Sequence, residues 1–235
     1  MFNKISSLAL AILLFLVLWG TQSHFYIFLA AVGGLILATI AINYRRLNFT
    51  WPHLMLPIIY LIGVAVVFAV VGSGTVRLIF LIFAALAFYV LEFKLGKESH
   101  FLQNIFLLST FGWFLGIFAL EFYLRLPTIF LAILVFVITY LFAVQGFAGF
   151  TLPSKKYFYL LLALVCAEAA WGIMLWPTFY FVNAVVLFCI FYLIWLFAFS
   201  AFFGKLTKAK MYWQVILVVI VLTAVLSTAA WKPLR

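Results

Sequence analysis

Glu168 is the residue whose type and setting point most directly to chemistry, a carboxyl group inside the apolar run from Leu160 to Ala170. In hydrocarbon a carboxylate is costly, so such residues face a bundle interior or a water-filled path and find partners there. It lies about twelve residues into its helix, which at 1.5 Å per residue is roughly 18 Å from the end flanked by lysines. Trp171 and Gly172 follow three and four residues later, on the same helical face. The turn at Pro177 reverses the chain and puts Asn183 of the next span about one turn outward from Glu168, within reach of an interhelical hydrogen bond. Glu168, Asn183 and Trp171 are therefore the candidate intramembrane polar site, with Glu168 expected to face protein and not lipid. Two readings stay open: interhelical glue, or a proton or cation site. A single acid at that depth falls short of the chain of groups that proton relays show.

The other acids are placed differently. All four acids are Glu. Glu92 beside Lys94, and Glu98 in a basic loop, read as interfacial. Glu121 and Arg125 are one turn apart and read as a surface pair of the kind worth a few tenths of a kcal/mol. Metal-dependent transfer and di-acid proteolysis need clustered acids or histidines, and no span holds two acids near each other. Cys166 and Cys189 fall within spans, at similar depth on either side of Pro177, and read as inert packing thiols. Two Cys and three scattered His build no zinc or iron–sulfur site. No cofactor or metal is expected. Gly72-Ser73-Gly74 reads as a tight turn, not a nucleophile elbow, since His24 is the sole base on its side.

What positions these residues is a membrane. The 235-residue chain is 70% hydrophobic and 8% charged, and a domain of this size cannot hide so much apolar surface from water. Bilayer hydrocarbon, spanned by about 20 apolar residues, removes that constraint. Nine spans are predicted: Ile5 to Gly20, His24 to Asn43, Leu54 to Val71, Val76 to Phe93, Leu102 to Phe122, Ile129 to Phe147, Tyr157 to Leu175, Phe179 to Phe203 and Tyr212 to Ala230. Backbone groups in lipid must be satisfied within the segment, so each span is expected to be helical. The fold class is all-α, a polytopic integral membrane helix bundle, as a single transmembrane domain over 1–235 with no soluble domain. The first span lacks a small-x-small cleavage site and is expected to stay uncleaved.

The basic residues orient the bundle. Lys4, Arg45, Arg46, Lys94, Lys97, Lys155, Lys156, Lys205, Lys208 and Lys210 fall in every second gap, against Arg77, Arg125, Lys232 and Arg235 in the others. The richer side is expected to be cytoplasmic, with the N-terminus inside and the C-terminus outside, in the plasma (inner) membrane. The +10 net charge then reads as a topology signal that also attracts anionic lipid headgroups, not as a nucleic-acid surface. Thr21, Thr75, Thr128 and Thr178 recur in the outer turns at steps of 54, 53 and 50, which suggests four parallel hairpins plus one helix. Short loops and similar spans produce the same period without duplication. Small-residue stripes on the second span (Ala30, Gly34, Ala38, Ala41) and the seventh (Ala163, Ala167, Ala170, Gly172) read as bundle-interior faces.

Two function classes fit. One is a non-enzymatic membrane component: an accessory or structural subunit of a membrane assembly, with a membrane-protein partner or as a homo-oligomer, or a small-solute or ion transporter. The alternative is an intramembrane enzyme acting on a lipid or lipid-linked substrate. No span carries a central Pro of the kind that breaks transporter helices, which favours a structural role over transport.

Overall fold

The computed structural model describes residues 2–46, 51–71, 74–95, 100–147, 155–203 and 207–231. Lys97, Glu98, Lys205, Lys232, Arg235 and the 72–73 turn lie outside the described residues. Nine helices make up the described chain: α1 (Phe2–Thr21), α2 (Phe25–Arg46), α3 (Trp51–Val70), α4 (Gly74–Lys94), α5 (His100–Leu124), α6 (Thr128–Gly146), α7 (Lys155–Met174), α8 (Tyr180–Phe203) and α9 (Lys208–Thr228). Seven are long and apolar enough to cross a membrane, and the apolar stretches Ile5–Thr21 of α1 and Leu54–Val70 of α3 are shorter. The chain is a polytopic helical membrane protein. The widest departure from the predicted ends is at α9, which begins four residues early because Thr207 caps it, its hydroxyl accepting from the Lys210 N–H at 3.4 Å.

The chain falls into two compact units, Met1–Trp113 and Phe114–Arg235. In the first, α1 packs on α2 and α4, α2 on α3, and α3 on α4, closing a four-helix ring. Its core follows helical periodicity: Leu10, Leu14 and Leu18 from α1 meet Phe28, Val32 and Leu35 from α2, with Tyr60, Phe68, Leu81 and Phe88 from α3 and α4. Tyr60 stacks on Phe88 with ring centroids 5.7 Å apart and donates its hydroxyl to the Ala84 carbonyl at 2.7 Å. The first half of α5 crosses α3 closely. A Cβ at Gly63 would stand 3.3 Å from the Ser109 carbonyl oxygen, and one at Gly112 the same distance from the Gly63 oxygen. That approach lets the Trp113 indole N–H reach the Ile59 carbonyl at 3.0 Å, which supplies the partner a buried indole needs.

In the second unit α6 packs on α7, α7 on α8 and α8 on α9. The α6–α7 pairing is the most extensive and joins helices that a hairpin repeat would assign to different copies. Three of the four turn threonines also differ from one another. Thr21 bonds back to the Val17 carbonyl at 2.6 Å, Thr178 bonds Asn183, and α6 starts at Thr128 behind Pro127 with no side-chain cap. The inward face of α7 is Tyr159, Leu162, Cys166, Ala170 and Ile173. α9 touches its unit along one edge, with Val218 buried and Gln214 accepting from the Tyr192 hydroxyl at 2.8 Å.

The two small-residue stripes part company. On α7, Ala163 and Ala170 are fully buried as expected, but Ala167 is only half-buried and Gly172 is exposed, so the stripe is inward in part. On α2 the inward face is Phe28, Val32, Leu35, Thr39 and Asn43, while Ala30, Gly34 and Ala41 look outward. Large residues fill the ring interior here, so the small ones are left outside. This corrects the expectation for α2.

Candidate functional site

The residues predicted as a site are not brought together. Glu168 and Trp171 are exposed on the outward face of α7, in line with Leu161, Leu164 and Leu175. At about 100° per residue, Glu168 sits roughly 140° from Ala163 and 200° from Ala170, so the face that approaches a neighbour is the opposite one. Asn183 is buried and accepts from the Thr178 hydroxyl. The expected Glu168–Asn183 bond is not formed among the described residues, Asn183 bonding locally instead, and within the second unit the Glu168 side chain is exposed rather than packed on protein.

Asn183 instead belongs to a cavity of about 610 Å³ in the second unit, formed where α5 ends and the α7–α8 turn folds over. The turn is set by Pro177: the Trp176 N–H returns to the Ile173 carbonyl at 2.9 Å, and the Thr178 N–H reaches the Trp176 carbonyl at 2.8 Å. With Pro177 blocking helical continuation, the Thr178–Asn183 bond anchors the turn to the first turn of α8. Glu121, Arg125, Thr178 and Asn183 supply the polar lining, and Phe118, Phe122, Trp176 and Tyr180 the aromatic wall. That wall is cross-braced, Phe122 lying 5.4 Å from both Phe179 and Tyr180 between ring centroids.

Glu121 and Arg125 do not close the surface pair read from their spacing. An i, i+4 pair needs the helix to continue, and α5 stops at Leu124. Arg125 takes a left-handed conformation (φ 50°), and its N–H caps the Glu121 carbonyl at 2.9 Å. Such a cap is usually Gly; an L-residue there carries a backbone penalty that tends to persist at ligand clamps and switch regions. The guanidinium is thus swung out of register with the carboxyl group. Both side chains line the cavity without an ion pair or hydrogen bond among the described residues.

The first unit handles its polar groups differently. Glu92, read as interfacial, is fully buried and accepts from the Asn43 amide at 2.9 Å. Near the opposite end, Arg77 donates through Nε and Nη2 to the Val71 carbonyl at 3.0 and 2.6 Å and through Nη1 to Gln22 at 3.2 Å. It also lies 5.2 Å from the Phe68 ring centroid. The neighbouring cavity, about 240 Å³, has this committed arginine in its wall.

Cys166 and Cys189 are buried free thiols. No three His, Cys, Asp or Glu side chains gather among the described residues. Sequence reasoning missed the α5–α8 cavity, although a signal was present: charge alternation puts Glu121, Arg125 and the Pro177-Thr178 turn on one side, beside a cluster of aromatics. No family model, curated protein or solved structure matches this chain.

Proposed function

We propose that the chain is a non-enzymatic membrane component that binds a small polar solute at the basic-poor side of its second unit. The supporting observation is the aromatic-walled cavity of about 610 Å³ lined by a carboxyl group and a guanidinium that form no ion pair or hydrogen bond among the described residues. Ligand sites are concave, largely apolar and furnished with a few placed polar groups, and the Arg125 backbone conformation adds a local cost that binding would explain. By the positive-inside rule the cavity faces outward from the plasma membrane, and the basic loops meet anionic headgroups on the cytoplasmic face. Reporter fusions after residue 97 and at residue 235 that land on one side would end this orientation. For the cavity, Phe122→Cys in a chain with both native cysteines changed to Ala should react with a membrane-impermeant thiol reagent from one side of sealed vesicles. Absence of reaction from either side would refute a water-accessible site.

A second reading draws on Glu168. An acid on the outward face of a membrane helix lacks shelter among the described residues of its own unit, which favours a place in a larger assembly, as a homo-oligomer or beside another membrane protein. Photobleaching counts in bilayers should then fall for Glu168→Leu relative to the wild type if copies of the chain associate there; equal counts would remove the homo-oligomer.

A further inference from the structure

We infer that the solute taken by this cavity is a small zwitterion, its ammonium group held by Glu121 and its anionic group by Arg125. The inference rests on the solute-binding reading and adds the chemical class. A simple cation would satisfy Glu121 and leave the Arg125 guanidinium facing it with like charge. A simple anion would meet the reverse. A neutral solute would leave the half-buried Glu121 carboxyl group without a charged partner in a partly dry site, a costly arrangement. One carboxyl group and one guanidinium, lining a single cavity and not closed on each other, are matched by one ligand carrying both signs.

The wall agrees with this polarity. Phe118 and Phe122 rise from the same helix as Glu121, and Tyr180 stands against Phe122. Ring faces beside a carboxylate favour an ammonium over a neutral amine. Arg125 is exposed at the rim, where a planar fork can grip a carboxylate or phosphate in bidentate fashion. The two residues are four positions apart, with Arg125 just past the end of α5, and their side chains line one cavity. Both an α-amino acid and the phosphoethanolamine headgroup of a lipid have this chemistry, and the experiment separates these sources.

The full chain is reconstituted in bilayers of phosphatidylglycerol alone and titrated, with tryptophan fluorescence or calorimetry as readout. The probes are L-alanine, O-phosphoethanolamine, ethylamine, acetate and ethylene glycol. At least one zwitterion should bind ten-fold or more tightly than ethylamine, acetate and ethylene glycol. Glu121→Gln and Arg125→Gly should each reduce that preference to near unity while leaving the fold intact, since Gly suits the left-handed position. If phosphatidylethanolamine added to the bilayer abolishes binding of free zwitterions, and is retained on purification by the wild type and not by the variants, the occupant is the headgroup. If it has no effect, the occupant is the free solute. Ethylamine or acetate binding as well as the zwitterions would overturn the class and leave the cavity reading standing. Zwitterion binding that both variants retain would overturn the assignment of the two residues. Failure of every probe, with no retained lipid, would overturn both readings.

Discussion

Arg77 and Arg125 are the same residue type on the same predicted side of the membrane, and the two units use them in opposite ways. In the first unit Arg77 is consumed by the fold: its N–H groups tie off the carbonyl just beyond α3, reach into the α1–α2 turn and leave its small neighbouring cavity without a free charge. A cation at the C-terminal end of a helix also complements the dipole there. In the second unit Arg125 ends α5 with its backbone, and its side chain is left to the cavity. The acids divide likewise, with Glu92 sealed against Asn43 and Glu121 open. Polar groups that close on each other hold helices together, whereas those kept apart around a space leave room for the ligand proposed above. The difference comes from backbone continuity: Arg77 lies within α4, and Arg125 lies one residue past the end of α5.

The largest effect is expected at the first unit's close packing. Gly63→Leu should force α3 and α5 apart, because the carbonyl of Ser109 is rigid backbone, and cost about 3 kcal/mol as a drop in thermal midpoint in detergent. A midpoint near the wild type would mean the crossing is looser than described. Next, Arg77→Met should destabilise by about 2 kcal/mol through the lost charged hydrogen bonds and leave solute binding unchanged. Glu92→Met should cost about 2 kcal/mol by stranding the Asn43 amide, and adding Asn43→Leu should recover most of it; two losses that simply add would show that the pair is not coupled. Arg125→Gly should do the opposite of Arg77→Met, gaining up to about 1 kcal/mol by relieving the left-handed backbone while abolishing binding. Loss of stability there would return Arg125 to a structural role. The smallest effect is expected for Glu168→Leu, within about 0.5 kcal/mol of the wild type for the isolated chain, because its side chain is exposed on α7.

Length and hydropathy alone determined the number of helices among the described residues and placed their ends to within four residues. Each span must satisfy its own backbone in lipid, and that requirement is local. Local too were the hydroxyl bonds of Ser109 and Thr110 to the carbonyls one turn back, at 2.7 and 2.9 Å. Which face of a helix turns inward is not local. In water the apolar face marks the interior, but in a membrane both faces of α2 and α7 are apolar and the choice falls to the shape of the neighbours. Hence Ala30 and Gly34 could face out while Ala163 and Ala170 face in, and Glu168 went to the side away from α6 and α8. Glu92 found Asn43 across 49 residues of chain, a pairing no local pattern announces. Arg125 needed only one residue outside the helix to leave Glu121 open, and where a helix stops to within one residue is decided by the turn that follows it.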